Sequence, residues 1–430
     1  MKYNYITINR FFISILPISL IFSIFISDLI VSISSLCFLI FIYKKKKSSL
    51  LKTMDFKIFL IFYLIFIISA LNSDFVQYSL YKTLPYLRFG IFIILMKYLF
   101  VNDDKIQKYL LYSITVSFLI LILGIILQFS DIEYLSKHIN GSRFSSFFLD
   151  EFILGSYLVK ILPLFLALIV FLNHKKYLYI SIFAFMFLIL LSGERSALIS
   201  LIFFLSFLFL FTKIINNFNK IVIVFIIVLI FFSILNLFPK IKFRLINQTA
   251  YQLSLIEPEK DYVEFEIEKN KYIAVAREEY FIPLKYYLMF ESAIKIYKDN
   301  LYFGSGIKTF KILCKDERYF NKKNYLAFKD KPDDYYEGFT GVDSCSTHPH
   351  NYYIQLLAET GIFSFLLVCL LFIYFGYKFF KEEEMHLKIL YLSLMVNLFP
   401  FYFTGNFFNN FISIMLYLNI SFLSLNKTHK

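Results

Sequence analysis

The chain has 430 residues, of which 59% are hydrophobic and only 17% are charged, and its mean hydropathy is +0.66. So few charges could not solvate a soluble chain of this length, and apolar runs longer than about 18 residues are typical of transmembrane helices. The formal net charge of +13 does not indicate nucleic-acid binding, because the lysines cluster at the ends of apolar runs, as in Tyr43 to Lys47. The composition therefore excludes a soluble protein and predicts a polytopic membrane protein.

The apolar runs predict about twelve transmembrane helices. The first run, at residues 11–43, is too long for one span, and we expect Ser27 to Leu29 to divide it into two short helices. Because the run follows MKYNYITINR without a small-residue cleavage site, we expect no cleavable signal peptide. The other spans are predicted at residues 56–71, 84–100, 109–129, 152–171, 176–192, 196–212, 220–238, 352–378, 388–403 and 407–424.

The charges of the short loops predict the orientation of these helices. When the helices alternate, most lysine-bearing loops fall on one side, and the positive-inside rule makes that side, with both termini, cytoplasmic. The long segment 239–349 falls on the other side, and its mixed charge is typical of a soluble domain. An amphipathic piece at Pro283 to Asn300 predicts that this domain is mainly helical. We therefore expect about nine helices in 1–238, an extracytoplasmic domain in 239–349 and about three helices in 350–430.

The cysteines bear on the compartment of the long segment. Cys314 and Cys345 both lie in it, whereas Cys37 and Cys369 lie within predicted spans. Outside the cytoplasm such a pair can oxidise, and a bridge would tie the end of the segment to the rest of the domain. A disulfide between Cys314 and Cys345 is one prediction, and two free thiols are the alternative.

Three arginines are predicted to lie on the extracytoplasmic side, where the positive-inside rule disfavours them. They are Arg88 in LPYLRFG, Arg143 in NGSRFSS and Arg195 in SGERSALIS. The planar fork of guanidinium donors suits phosphate oxygens, so together they predict a phosphate or diphosphate site. The alternative for any one of them is a local ion pair, such as Arg195 with Glu194, or snorkelling to lipid headgroups.

Two histidines lie on the same predicted side, at the start of the next apolar helix. Histidine can take or give a proton near neutral pH, which makes His350 a candidate general base. His348 is more typical of a polar cluster at a helix start, where Asn351 can cap the helix. A zinc site is not predicted, because His348 and His350 have no third ligand nearby unless Asp343 or Cys345 is recruited.

The stretch HNYYIQLLAETG resembles the signature of the O-antigen ligase and polymerase superfamily, in which ten residues separate a histidine from a glycine. His350 and Gly361 have this spacing, and Asn351 and Glu359 also fall where the family pattern has them. SGERSALISL and GSRFSSFFLDEFILGSYL resemble the family's arginine segments, and Leu301 to Phe310 is similar to a glycine-bearing segment of its large periplasmic loop. Glu359 is too far along the helix to contact His350, and we expect it to pack against or bond to a neighbouring helix.

The resemblance implies an all-α polytopic enzyme of the bacterial inner membrane, an inverting glycosyltransferase that needs no metal or cofactor. Its donor would be a glycan linked to undecaprenyl diphosphate, and its acceptor would be lipid A–core, as in a ligase. Arg143 and Arg195 would bind the diphosphate and stabilise its developing charge, Arg195 as a catalytic residue. His350 would deprotonate the acceptor hydroxyl or position the diphosphate. The further substrate-binding candidates are Arg88, Asn351 and His348.

Three other functions are consistent with parts of the pattern. A repeat-unit polymerase of the same superfamily would use a second lipid-linked glycan as its acceptor. A flippase for lipid-linked oligosaccharides would place charges within the spans and often has related halves, whereas here the charges are predicted to lie at one face. A metal-dependent glycosyltransferase would need an acidic motif in its first outer loop, where only Asp28 is found.

Overall fold

The computed structural model describes residues 2–130, 143–214, 216–247, 249–250, 284–323, 342–401 and 403–425. In these residues the fold is helical. Ten helices precede the long segment: α1 (Lys2–Phe22), α2 (Ile24–Lys44), α3 (Met54–Leu71), α4 (Val76–Thr83), α5 (Leu87–Asn102), α6 (Ile106–Phe129), α7 (Leu154–Phe171), α8 (Leu178–Leu191), α9 (Arg195–Phe211) and α10 (Asn217–Leu237). The rest are α11 (Pro239–Lys242), α12 (Leu284–Asp299), α13 (Phe310–Leu313), α14 (Tyr352–Lys381), α15 (Met385–Asn397) and α16 (Asn410–Phe422).

Eight stretches among the described residues are long and apolar enough to cross a membrane: α1, α2, α3, α4 continued by α5, α6, α7, α10 and α14. Two shorter apolar helices, α9 and α16, lie among them. A helix occupies each place where the apolar runs predict a span. The predicted all-helical membrane protein is therefore confirmed, while the number twelve, the division into three domains and the sides of the membrane stay predictions.

The first apolar run is divided at Ser23, so the predicted break at Ser27 to Leu29 is wrong. Ser23 caps α2, accepting a hydrogen bond from the N–H of Ile26 over 3.3 Å. Ser27 remains helical because its hydroxyl bonds to the Ser23 carbonyl at 3.0 Å, and the carboxylate of Asp28 pairs with Arg88 at 2.6 Å. Polar side chains satisfied by neighbours do not interrupt a helix.

Helix α7 lies in the middle of the bundle. It packs against α6, α8, α9, α15 and α16. Of its residues, 78% are buried, compared with 17% in the apolar part of α10, which lies at the periphery. Polar groups join it to its neighbours: Lys160 Nζ donates to Asn397 Oδ1 of α15 at 2.9 Å, and Asn419 Nδ2 of α16 donates to the Lys160 carbonyl at 3.5 Å. These contacts therefore fix the position of α7 within the bundle.

The described part of the long segment packs on the first turns of α14. The predicted amphipathic piece forms α12, and a small core joins Met289 and Ala293 of α12 to Phe310 of α13 and Ala358 of α14. Cys314 and Cys345 form a disulfide bond within it. A two-residue antiparallel pairing, Lys322 with Asp343, joins β1 (Lys322–Lys323) to β2 (Val342–Asp343).

Helix α14 has a kink at Gly361, where the backbone takes φ 73°. The segment Leu301 to Gly306 runs through this kink, with Ser305 N donating to the Ala358 carbonyl at 3.0 Å and Gly306 N to the Glu359 carbonyl at 2.9 Å. A Cβ on Gly361 would lie 2.2 Å from the carbonyl oxygen of Tyr302. Only glycine combines a positive φ with so close an approach, which explains this position of the motif.

Candidate active site

The segment before α14 holds the two histidines side by side. His350 has a positive φ of 55°, and its carbonyl accepts a hydrogen bond from Thr404 N at 2.8 Å. This turn brings the rings of His348 and His350 to a centroid separation of 4.0 Å. Tyr286 of α12 meets the His350 ring edge to face at 5.3 Å. The long segment thus contributes directly to the surroundings of the histidines.

The two histidines have different environments. His348 is 8% exposed, and its ring nitrogens lie 2.8 Å from Thr347 Oγ1 and 3.4 Å from the Thr404 carbonyl. Burial, followed by the charge of His350, lowers the pKa of His348 to about 3. Burial and the nearby Lys285 also lower the pKa of His350, while a hydrogen bond to the Thr404 backbone raises it, and His350 Nε2 lies 3.4 Å from Ser346 Oγ. At neutral pH the imidazole of His350 is therefore uncharged and able to accept a proton.

Asn351 caps the N-terminus of helix α14. Its Oδ1 accepts hydrogen bonds from Tyr353 N at 3.0 Å and Ile354 N at 3.1 Å, and its Nδ2 donates to the Pro400 carbonyl at 2.8 Å. These are the bonds of an N-cap, which fixes where α14 begins. The proposed substrate contact of Asn351 has no support in this arrangement.

Arg143 precedes a short turn between α6 and α7. Gln128 of α6 fixes this turn, because its Oε1 accepts from Ser146 N at 2.9 Å and its Nε2 donates to Ser145 Oγ at 3.2 Å. The guanidinium of Arg143 lies over the ring of Phe152 at 5.3 Å, and its Nε is buried without a partner among the described residues. A buried donor left without an acceptor is costly, so this atom is ready to receive an anion.

Glu194 ties the start of α9 to the start of α7. Its carboxylate accepts hydrogen bonds from Gly155 N at 2.6 Å, Ser156 N at 3.1 Å and Ser156 Oγ at 2.7 Å. Burial raises the pKa of Glu194, while these bonds and the charge of Arg143 lower it. The carboxylate therefore accepts hydrogen bonds from the first N–H groups of α7, where negative charge is favourable.

Arg195 lies next to Arg244, which sequence reasoning missed. Arg244 Nε donates to the Gly193 carbonyl at 3.0 Å, and Arg195 Nη1 lies 3.4 Å from Thr249 Oγ1. The charges of Arg143 and Arg195 add to the effect of burial in lowering the pKa of Arg244, and Glu194 opposes it. Arg143, Glu194, Arg195 and Arg244 therefore form one group of charges, called here the arginine cluster.

Arg88 is held elsewhere. Its Nη2 pairs with Asp28 Oδ1 at 2.6 Å and contacts Asn410 Oδ1 at 3.2 Å, and its Nη1 donates to the Pro85 carbonyl at 2.6 Å. This is the local ion pair that was the alternative for each arginine. The structure does not bring Arg88 to the cavity that holds Arg143 and the histidines.

A cavity of about 640 Å³ lies between the starts of α7, α9 and α14 and the long segment. His348, His350 and Arg143 line it, so the structure brings these three predicted residues together. Arg195 is not among the residues that line the cavity, but its charge, like that of Arg143, acts on Arg244. Five further charged residues line the cavity, which sequence reasoning did not assign to it: Glu151, Lys160, Glu194, Lys308 and Lys311.

One of these residues had a signal in the sequence. Lys160 is a charge within the apolar run LVKILPLF, and charges inside spans are functional candidates. Its presence corrects the expectation that charges lie only at one face. Lys308 and Lys311 had no such signal, since nothing local distinguishes them from the other lysines of the long segment.

Glu359 bonds to a neighbouring helix, as expected, because its carboxylate reaches the first residue of α13. Its carboxylate accepts from Gln355 Nε2 of the same helix at 3.0 Å and from Phe310 N of the long segment at 3.2 Å. Gln355 in turn bonds to Asn406 at 2.9 Å. Glu359 therefore fixes the long segment to α14 and has no contact with His350.

The cavity can bind an anion and take up a proton. Four cationic and two acidic side chains line it together with an uncharged imidazole, and this excess of positive charge suits an anionic substrate that reacts with a hydroxyl group. Within the described ranges, no three side chains of His, Cys, Asp or Glu are grouped so that they could hold a metal ion.

Residues 180–369 match the family model described as O-antigen ligase. The matched stretch includes Arg195, Arg244, Lys308 and His350, while Arg143 lies before it. A comparison with curated protein sequences finds no significant match. The family match confirms the resemblance carried by the histidine and glycine of the α14 motif.

Proposed function

We propose, because residues 180–369 match the O-antigen ligase family model, that the chain transfers a glycan from undecaprenyl diphosphate to an acceptor hydroxyl. The reaction takes place at the periplasmic face of the bacterial inner membrane, and both termini lie in the cytoplasm. One observation carries the proposal. A single cavity at one end of a membrane helix bundle is lined by His350 and by Arg143, whose buried Nε has no partner among the residues that the structure describes.

The transfer is a single displacement, and no metal takes part. The acceptor oxygen forms a bond to the anomeric carbon as the bond from that carbon to the phosphate oxygen breaks. Undecaprenyl diphosphate leaves with the bonding electron pair, and attack from the opposite face inverts the anomeric configuration. The hydroxyl proton passes to the imidazole of His350, whose lowered pKa keeps it uncharged beforehand.

The arginine cluster stabilises the leaving group. Arg143 lines the cavity and donates to the diphosphate oxygens, and Arg195 and Arg244 add positive charge to the same cluster. Glu194 partly offsets this charge before the substrate binds, and its bonds to α7 keep the cluster in place. Donors fixed in advance are effective because no reorganisation is needed as negative charge develops.

The acceptor is lipid A–core, which makes the protein a ligase. The alternative is a polymerase, whose acceptor is a second lipid-linked glycan. Deletion of the gene separates the two. Loss of a ligase leaves long lipid-linked polymer unattached, whereas loss of a polymerase leaves single repeat units on the core.

The substitution His350→Ala tests the catalytic assignment. We expect glycan transfer by the purified full-length protein to fall at least about 100-fold, because the proton acceptor is lost. Transfer is measured from lipid-linked donor in the presence of EDTA, in which the wild-type protein should stay active since the proposed mechanism uses no metal.

The control is His174→Ala, an exposed histidine in the turn between α7 and α8, which should leave transfer unchanged. Transfer by His350→Ala at a rate near that of the wild type would show that His350 is not the proton acceptor.

A further inference from the structure

The cavity has a second group of cations, which the assignments above do not use. Lys308 and Lys311 line the cavity, and Lys82 of α4 lies beside them. The ammonium groups of Lys82 and Lys311 both lie over the ring of Tyr78, at 5.7 and 5.3 Å from its centroid. Lys82, Lys308 and Lys311 are called here the lysine cluster.

The backbone of the long segment fixes Lys308 at the cavity. Lys308 follows Gly306, whose N–H bonds to the Glu359 carbonyl at 2.9 Å, and Lys308 itself has φ 60°. Phe310 N donates to the Glu359 carboxylate at 3.2 Å. Bonds to α14 on both sides of Lys308 therefore hold it in a turn that a non-glycine residue seldom adopts.

The lysine cluster has no counter-charge in hydrogen-bonded contact. Among the residues that the structure describes, no carboxylate lies within ion-pair distance of Lys82, Lys308 or Lys311. Burial and the charge of Lys82 lower the pKa of Lys308, Glu359 raises it, and Lys311 lowers it further. The hydroxyl of Tyr78, whose ring lies under Lys82 and Lys311, is buried and has no hydrogen-bond partner among the described residues. Repelling cations and an unused hydroxyl are relieved by a bound anion.

The lysine cluster differs from the arginine cluster in what it can bind. The arginine cluster contains Glu194, and its position next to His350 and α7 assigns it to the donor diphosphate. A second anion would be needed to occupy the lysines, and the other substrate of a glycan transfer is the acceptor. We propose that Lys308 and Lys311, with Lys82 beside them, bind an anionic group of the acceptor, a phosphate or a carboxylate.

This inference rests on the proposed function, and steady-state kinetics test it. Full-length protein is placed in phosphatidylcholine nanodiscs, so that only the substrates supply an anion. The acceptors are lipid A–core and lipid-linked glycan, each purified from the bacterium that encodes the chain. Lys308→Gln should raise the acceptor KM about tenfold, the effect of one charged hydrogen bond, and change the donor KM less than about twofold.

Two variants serve as controls. Lys308→Arg keeps the positive charge, so its acceptor KM should be close to that of the wild type and not to that of Lys308→Gln. If only the packing of the lysine stem mattered, this difference between the two variants would not be expected. Lys315→Gln removes an exposed lysine just after α13 that does not line the cavity, and it should leave both KM values unchanged. A larger effect of Lys308→Gln on the donor KM than on the acceptor KM would overturn the inference.

Modified acceptors identify the anion. Phosphatase treatment should abolish the difference between wild type and Lys308→Gln if the group is a phosphate, and amidation of carboxyl groups should abolish it if the group is a carboxylate. A difference that survives both treatments would overturn the inference.

Acceptor binding without donor separates this inference from the proposed function. Binding by the wild type that is weakened about tenfold in Lys308→Gln would support the lysine site even if no glycan were transferred. Equal binding by the two proteins would reject the lysine site even if transfer occurred.

Discussion

The arginine cluster and the lysine cluster lie at one cavity but are built differently. In the arginine cluster a buried carboxylate is present, and Arg244 donates to the Gly193 carbonyl at 3.0 Å. In the lysine cluster the ammonium groups of Lys82 and Lys311 lie over the ring of Tyr78, and that of Lys82 also lies over Tyr81. Guanidinium groups held by hydrogen bonds form a preorganised site, whereas ammonium groups on flexible stems act as movable point charges.

This difference fits the two substrates of the proposed reaction. The diphosphate of the donor has one shape whatever glycan it carries, and a rigid site suits it. Acceptors vary in the position of their charged groups, and mobile lysines tolerate that variation. If the comparison is correct, substitutions in the arginine cluster affect the donor and the chemical step, and changes near the lysine cluster affect the acceptor.

The largest effect is expected from Arg143→Gln. We expect kcat to fall about 100-fold or more, because a preorganised donor to the leaving group is lost. The measurement is single-turnover transfer at saturating donor and acceptor, which reports the chemical step without substrate binding.

The control for this variant is Arg318→Gln. Arg318 is exposed and bonds to Asp316 within two residues of itself, so its loss should leave transfer unchanged. An Arg143→Gln protein with a normal kcat and a raised acceptor KM would reverse the assignment of the two clusters.

The arginine cluster was accessible to sequence reasoning, because its signal is local. Arg143 and Arg195 lie next to apolar runs, and alternation of those runs places them on the side where positive charge is disfavoured. His350 was found through its spacing to Gly361. Each of these predictions depends on neighbouring residues in the chain and on the periodic pattern of the spans.

The lysine cluster and Arg244 could not be found in this way. Lys308 reaches the cavity because Gly306 and Phe310 bond to Glu359, far along the chain, through the kink at Gly361. Such a contact depends on tertiary packing, which a single sequence does not specify. The same local signal that identified Arg143 also selected Arg88, which pairs with Asp28, so its role in substrate binding stays a prediction.

A smaller effect is expected from Gly361→Ala, which displaces the lysine cluster without removing any charge. The new Cβ would lie 2.2 Å from the Tyr302 carbonyl oxygen and 2.6 Å from Phe303 N, at φ 73°. The segment that carries Lys308 must therefore move away from α14. We expect the acceptor KM to rise up to about tenfold, as for the loss of one charged contact.

Gly376→Ala is the matched control on the same helix. A Cβ there would meet Met395 Cε at 3.5 Å, which is an ordinary contact, so both KM values should be unchanged. Protein recovered in the membrane should be compared first, because a steric clash can also lower yield. A raised donor KM with a normal acceptor KM in Gly361→Ala would contradict the separation of the clusters.

The smallest effect is expected for the pH dependence of glycan transfer, which depends on the protonation of His350 at the cavity. A proton acceptor of ordinary pKa, about 6.5, would lose about fourfold of its unprotonated form between pH 7.5 and 6.0. Burial and the charge of Lys285 lower the pKa of His350, so its unprotonated form persists to lower pH. We therefore expect kcat/KM to fall less than about fourfold over this range, measured at constant ionic strength.

Lys285→Gln removes one cause of the lowered pKa of His350 and should move the acidic limb of the pH profile to higher pH. Lys315→Gln should leave the limb in place, and an equal shift by both variants would mean that general surface charge, not the charge beside His350, sets the profile.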